Sequence, residues 1–409
     1  MDDSILVKLA GKYGTPLYVY DGDLIQERCR QFMKAFEGFP VRVKCCYAVK
    51  ANTNLALLKL IQGEGYGADV VSVGELDAAL KSGFKPQDII YTSNSKSEAD
   101  VRATLAAGVN LTADNISEVE LVKKMGGSRI AFRVNPDVNA STHQKISTAL
   151  RGSKFGMHFE GDIAFKAVKK AVELSLKVSG IHCHIGSNIK DASAFSEVAH
   201  KMVDFAVRLK SELGIQLEFI DFGGGLGIRY KDEAVITLPE FAKAYGNIVA
   251  DGVGRLGYKP DVWFEPGRFI VGEAGILLAK VNSLKETPQK RFINVDAGFN
   301  DLIRPAMYDA YHNIRVAGKA GGGFSYDVAG HLCESGDVLG KDRNLPEVRV
   351  DDTVVIENAG AYGFSMASNY NSQPLPAEVL VRKGRADLIR ERQSIHELYI
   401  RQKMPKDII

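Results

Sequence analysis

Four segments of this chain set reactive side chains at the ends of apolar runs. Tyr47-Ala48-Val49-Lys50-Ala51-Asn52 ends such a run in a lysine. Partial desolvation lowers an amine's proton affinity and makes it a nucleophile for a carbonyl; the plain alternative is a lysine that snorkels to water. His182-Cys183-His184-Ile185-Gly186-Ser187 carries two imidazoles two residues apart, on one face of an extended strand. No carboxylate or third histidine beside them completes a metal site, so no metal is expected. An imidazole there can instead lie flat on an aromatic ring, with Ser187 donating to an anion. Phe219-Ile220-Asp221-Phe222 runs into Gly223-Gly224-Gly225-Leu226-Gly227, where the backbone can approach an anion closely; a simple turn is the alternative. Trp263-Phe264-Glu265-Pro266-Gly267-Arg268 brings a carboxylate out of an apolar strand, which is costly without a cation or donor beside it. Glu265 can pair with a protonated ring nitrogen and Arg268 can clamp a phosphate or carboxylate, or the two can simply pair with each other.

The elements that must position these groups alternate. Short β-branched runs at Val41–Val49, Ala68–Ser72, Ile89–Thr92, Leu111–Ala113, Ile130–Val134, Ser179–Ile185, Phe219–Phe222 and Val262–Glu265 are mostly followed by helical stretches, such as Asn54–Gln62, Val73–Ser82, Ser97–Ala107 and Ile116–Met125. Eight repeats of strand then helix predict an α/β fold built on a (β/α)₈ barrel, with a doubly wound sheet as the alternative. In a barrel the functional groups stand at the C-terminal ends of the strands, where all four segments fall. After about Gly272 strand-like runs follow one another at Gly275–Val281, Phe292–Asp296, Val348–Val350 and Thr353–Glu357, which predicts a second, mostly β domain. Leu17–Tyr20 reads as a further strand of that domain, and the charged stretch Arg385–Lys403 as a surface helix. The expected division is residues 1–30 with the β domain, 31–272 as the barrel and 273–409 as the C-terminal domain.

The chain has 409 residues, with 52 Lys+Arg against 50 Asp+Glu, so no broad charge footprint points to nucleic acid or an anionic membrane. With 45% hydrophobic and 25% charged residues the composition is that of a globular protein. No apolar stretch is long enough to span a bilayer, and the acidic start Met1-Asp2-Asp3-Ser4 lacks the regions of a signal peptide, which predicts a cytoplasmic protein. The 5 cysteines are scattered without a Cys-x-x-Cys pair, which argues against zinc or a disulfide framework.

Taken together, the amine, the imidazole, the glycine cluster and the carboxylate ask for one ligand with an aldehyde, a basic aromatic nitrogen and a phosphate. That is pyridoxal 5'-phosphate. The four segments, in this order, resemble the barrel motifs of the pyridoxal-phosphate-dependent basic amino acid decarboxylases, a group similar in fold to alanine racemase. The resemblance covers nearly the whole chain. Leu302-Ile303-Arg304-Pro305-Ala306-Met307-Tyr308, Cys333-Glu334-Ser335-Gly336-Asp337 and Gly360-Ala361-Tyr362-Gly363 look most like the diaminopimelate decarboxylase branch. Ornithine-type relatives carry Asp after the cysteine, where Glu334 stands here.

The resemblance implies these roles. Lys50 is the Schiff-base lysine, and His184 stacks on the cofactor ring. Ser187 with Gly223, Gly224 and Gly225 forms the phosphate cradle, while Glu265 partners the pyridine nitrogen. Gly267 and Tyr362 join the cofactor site, Arg268 serves phosphate or substrate, and Asp69 and Arg133 complete it. Cys333 is the proton donor, and it reaches the site with Glu334 from the second subunit of a homodimer. The implied substrate, meso-diaminopimelate, has a second amino-acid head. Arg268, Arg304 and Tyr308 can donate to its carboxylate and Glu334 can accept from its ammonium, whereas ornithine or lysine would leave the arginines unpaired. Two alternatives stay open: a decarboxylase of ornithine, arginine or carboxynorspermidine, and a pyridoxal-phosphate-binding regulator without catalysis.

Overall fold

The computed structural model describes residues 1–138 and 152–406. It divides into two compact units, one formed by Met1–Leu24, Tyr230–Asp232 and the chain from Val271 onward, the other by Ile25–Arg229 and Glu233–Ile270.

The second unit is a closed parallel barrel. Its strands are Val43–Ala48, Gly67–Val70, Ile89–Tyr91, Asn110–Ala113, Arg129–Asn135, Lys177–His182, Phe219–Asp221 and Asp261–Phe264, here strands one to eight. Each pairs in parallel with the next, and strand eight returns to strand one with Val262 opposite Val43. All eight follow the alternation read in the sequence.

Local chemistry explains why the intervening segments are helices. Ser72, Asn54 and Asn115 cap their helices by accepting from backbone N–H groups one turn in, and Ser97 closes a reciprocal capping box with Asp100. Cys46, Ile90, Ala131, Phe219 and Trp263 form a buried layer from strands one, three, five, seven and eight. The rings of Phe219 and Trp263 stack at 4.0 Å. Gly180 makes room for them, since a Cβ there would lie 2.5 Å from the Phe219 ring. That layer plugs the barrel below the strand ends. Outside it, Phe32, Phe36, Phe241, Tyr245 and Phe264 pack ring on ring, with Phe36 and Phe264 stacked at 4.6 Å.

The other unit is built on a nine-stranded sheet. Leu17–Asp21 lies inside it, antiparallel to Gly275–Glu286 and parallel to Ala377–Arg382. Leu6 and Leu9 of the helix Asp3–Tyr13 pack on Leu17, Val19, Leu278, Val355 and Val379.

Two local expectations fail here. Arg385–Lys403 is not a helix: Arg385–Arg390 is a strand that turns back on Ala377–Arg382 through Lys383 and Gly384, both at positive φ. That two-residue turn is the hairpin geometry that matches strand twist, and it overrides the charged composition. Val348–Val350 is irregular, with Val350 exposed, while the strands Phe324–Ala329 and Val338–Leu345 were not anticipated. Among the described residues no helix is long and apolar enough to cross a membrane.

Candidate active site

All eight strands deliver polar groups to one end of the barrel. A tight turn, Val49–Ala51, carries Lys50 off strand one, and its ammonium pairs with the carboxylate of Asp69 on strand two. Asp69 has no solvent exposure and accepts a second hydrogen bond from Thr92 Oγ1 at 2.5 Å, just past strand three. Burial pushes the Asp69 carboxyl up, with Glu265 acting the same way, while Lys50 and Thr92 oppose both. The amine is therefore half of an ion pair, not the bare desolvated base that its apolar surroundings suggest.

Arg133, from strand five, is buried. It donates to Thr92 O at 3.2 Å, lies 3.7 Å from the Asp114 carboxylate and sits over the Phe155 ring at 4.6 Å. Asp114 also accepts from Gly156 N at 3.1 Å, and burial raises its carboxyl to about 6. The sequence also reads Ser141–Gly156, rich in Ser, Thr, Gly and Lys, as a long loop after strand five, and most of that stretch lies outside the described residues.

Strand six ends at His182, so the alternation that would place both imidazoles on one face stops before His184. His182 Nε2 faces Glu265 Oε2 at 3.2 Å, and His184 Nδ1 accepts from Gly224 N at 3.2 Å. Burial holds both imidazoles well below the usual histidine range, and the nearby cations Arg133 and Lys50 push the same way, so both are neutral. The sequence showed no carboxylate beside His182; the fold brings up two, Asp221 and Glu265.

The glycines after strand seven are needed for packing. A Cβ on Gly223 would lie 2.2 Å from Cys183 O, and one on Gly224 would lie 2.3 Å from Glu265 O. Their N–H groups are engaged, Gly223 with Asp221 Oδ1 at 2.8 Å and Gly224 with His184. Arg268, buried at the start of the short helix Arg268–Val271, donates to Ser187 Oγ from Nη2 at 3.0 Å and from Nε at 3.2 Å. Gly267 packs on Ala48 and Ala51, where a Cβ would meet theirs at 3.0 and 3.1 Å. Glu265 is buried, and its Oε1 has no donor.

The remaining candidates belong to the β unit. Arg304 is buried, donates to His312 Nε2 at 2.9 Å and lies 4.7 Å over the Tyr230 ring. His312 Nδ1 bonds Glu357 O at 2.8 Å, which leaves Nε2 as the acceptor. Tyr308 ends the helix Arg304–Tyr308 and is half-buried, and Tyr311 lies under the Arg343 guanidinium at 3.8 Å. Cys333 and Glu334 are both exposed. Asn371 Nδ2 donates to Cys333 Sγ at 3.2 Å, and Tyr370 Oη donates to Glu334 Oε1 at 2.6 Å. Tyr362 is held at φ +57°, a left-handed backbone that a bulky residue adopts only under constraint.

Sequence reasoning missed Thr92, Asp221, His312, Tyr370 and Asn371. Only Asp221 carried a signal, as the one charge in an apolar strand.

Comparison with known proteins agrees with this geometry. Residues 22–272 match the family model described as "Pyridoxal-dependent decarboxylase, pyridoxal binding domain". The chain is 44% identical to a diaminopimelate decarboxylase of Methanothermobacter thermautotrophicus, covering 98% of this chain and 95% of the relative. It is 43% identical to one of Archaeoglobus fulgidus, covering 98% and 96%. The crystal structure of the Methanocaldococcus jannaschii diaminopimelate decarboxylase in complex with L-lysine superposes with a TM-score of 0.94 at 41% identity, covering 99% and 95%. The chain belongs to the diaminopimelate decarboxylase family of pyridoxal-dependent decarboxylases.

Proposed function

We propose that this chain catalyses the pyridoxal 5'-phosphate-dependent decarboxylation of meso-2,6-diaminopimelate to L-lysine and carbon dioxide, the last step of lysine biosynthesis. One observation carries the reading: the Lys50 amine, the buried Glu265 carboxyl and the Ser187–Arg268 pair share one barrel end in a chain so closely related to that family.

The barrel residues suit the cofactor. Glu265 Oε1 is a buried acceptor awaiting a donor, which a protonated ring nitrogen supplies. Lys50 is the amine that anchors the aldehyde, and His184 lies beside the glycines. With the N–H groups of Gly223 and Gly224 engaged, the phosphate falls to Ser187, Arg268 and the Gly225 N–H. When bound, the cofactor supplies the sink for the electron pair that the departing carboxylate leaves behind. Asp69 holds the Lys50 ammonium in place, and its buried charge gives that proton a fixed position.

Arg304 and Tyr308, with Arg268, are the donors for the distal carboxylate, and Glu334 accepts from the distal ammonium. Cys333 Sγ returns a proton to the reacting carbon, and the Asn371 N–H on that sulfur steadies the thiolate that remains. Tyr362 contacts substrate and cofactor. Cys333 and Glu334 act across a homodimer, which accounts for a reactive thiol and a carboxylate standing exposed on the single chain.

The test is lysine release from meso-diaminopimelate with pyridoxal 5'-phosphate added, with L-ornithine and L-arginine as parallel substrates. Lysine from the first alone is the expected result. Strong turnover of ornithine or arginine would refute the distal-head argument, and no turnover with cofactor bound would favour a regulator.

A further inference from the structure

Three titratable side chains meet in the barrel wall with almost no exposure to solvent: His182 at 1%, Asp221 at 0% and Glu265 at 4%. Strands six and seven are in register with His182 opposite Asp221, and Asp221 is opposite Trp263, two residues before Glu265. The three offer polar atoms within 4.8 Å of one another. His182 Nε2 lies 3.2 Å from Glu265 Oε2, and the Asp221 and Glu265 carboxyls are within hydrogen-bonding reach of each other.

Two buried carboxylates in contact cannot both stay ionised without several compensating charges. The surroundings are sparse. Lys50 is paired with Asp69, itself a third carboxyl nearby, and Arg133 lies beside Asp114. Lys96 is paired with Glu118, and His184 is neutral. The thiols of Cys45, Cys46 and Cys183 are pushed up by burial and carry no charge.

The unpartnered atoms locate the missing proton. Asp221 Oδ1 accepts from Gly223 N, while Asp221 Oδ2, Glu265 Oε1 and His182 Nδ1 are buried without partners. A neutral His182 with its proton on Nε2 donates to Glu265 Oε2 and leaves Nδ1 bare, as found. A proton on Asp221 Oδ2 gives the second carboxyl a donor role.

We propose that Asp221 is a positioning residue that stays protonated and, together with His182, donates to Glu265, so that the cluster holds one negative charge, on the carboxylate that meets the cofactor ring nitrogen. Burial pushes both carboxyls up, but Lys50 and Arg133 pull Glu265 back toward its charged form, whereas at Asp221 the neighbouring Glu265 adds to the effect of burial and pushes it well above the usual carboxylate range, so the proton belongs to Asp221. A charge fixed in this way keeps the ring nitrogen protonated without the Glu265 carboxylate turning away. The inference rests on the cofactor reading above, but its first readout needs no turnover.

That readout is the infrared difference spectrum of the full-length protein against Asp221→Asn at neutral pH, with and without pyridoxal 5'-phosphate. A protonated-carboxyl C=O band that shifts in D₂O and is absent from the variant is expected. The second readout is pyridoxal 5'-phosphate affinity, followed by the visible absorbance of the bound cofactor. Asp221→Asn keeps an N–H donor and should bind within about threefold of the native protein, whereas Asp221→Leu should bind about tenfold or more weakly. If the Leu variant does not fold, the infrared band and the Asn variant still decide.

Three results would overturn the proposal. One is a native spectrum with no such band; another is an Asn variant as impaired as Leu. The third is a stoichiometric metal ion that survives chelator and is lost in Asp221→Asn, since a cation would then take the proton's place. Failure of the lysine assay with the band present would count against the substrate and not against the Asp221 proton.

Discussion

Replacing His312 by alanine tests how Arg304 is held. The imidazole is fully buried and bridges two groups, donating from Nδ1 to Glu357 O at 2.8 Å and accepting at Nε2 from Arg304 Nη1 at 2.9 Å. Without it the buried guanidinium keeps the Tyr230 ring but loses an acceptor. A hydrogen bond to a charged group contributes about 1.5–3 kcal/mol, and truncating a buried ring leaves a cavity costing about 3 kcal/mol. We therefore expect unfolding stability to fall by roughly 4–6 kcal/mol. His312→Gln, whose amide oxygen can still accept, should recover part of that loss. In steady-state decarboxylation of meso-diaminopimelate, an anchor for the distal head is needed equally in the ground and transition states. Its loss should therefore raise KM by about tenfold and leave kcat within about twofold. A fall in kcat at unchanged KM would refute the anchor role and place Arg304 in the chemical step. Native kinetics with a lowered Tm would make the Arg304–His312 pair purely structural.

Tyr370→Phe removes the hydroxyl that donates to Glu334 and lies 3.7 Å from Cys333 Sγ, while the ring can stay on Phe299. KM for meso-diaminopimelate should rise about threefold to tenfold, and iodoacetamide alkylation of Cys333, the one exposed cysteine, should change in rate. No change in either would leave Tyr370 as packing. Burial raises the half-buried Glu75 carboxyl to about 7 against the hydrogen bond from Val71 N. The native state thus favours the protonated form: its stabilisation is full below about pH 4.5 and is lost as pH rises through about 7. Glu75→Gln keeps an acceptor without that charge, so its unfolding free energy relative to the native protein should climb by roughly 1–3 kcal/mol between about pH 4.5 and 7 and then level off. A pH-independent difference would contradict the burial effect. Gly224→Ala drives a Cβ against Glu265 O and should destabilise the barrel by about 1–3 kcal/mol while weakening cofactor binding. Thermal unfolding and cofactor absorbance together check this.

The barrel was legible because strand and helix signals repeat, and each strand's apolar run is buried whatever its neighbours are. Lys50, Glu265 and Arg268 could be picked out by a rule of position, since chemistry gathers where barrel strands end, whereas Arg133 came only through the family resemblance. Asp221 could not be assigned a role that way. Its environment exists only once strand seven stands between the strands that carry His182 and Glu265, so that three separate stretches share one desolvated spot. His312 is hidden for a related reason, since its partners at 304 and 357 meet it only through the folded sheet. Arg385–Arg390 misled because charge suggests a solvated helix face, yet an outer strand is equally solvated. The Lys383-Gly384 pair was the better signal, being a dipeptide that accepts positive φ at both positions.

The strand Leu17–Asp21 has a consequence for synthesis. It leaves the ribosome early, yet the first of its two neighbours, Gly275–Glu286, emerges about 250 residues later, after the whole barrel. Until then its backbone N–H and C=O groups are an open template on a nascent chain, available to any strand edge that passes. The helix Asp3–Tyr13, whose leucines have nothing to pack on before the sheet forms, waits as well. Translation pausing near residue 280 should therefore lengthen the interval in which nascent chains cross-pair. A permuted gene that begins near Val271 and joins the present ends should shorten it.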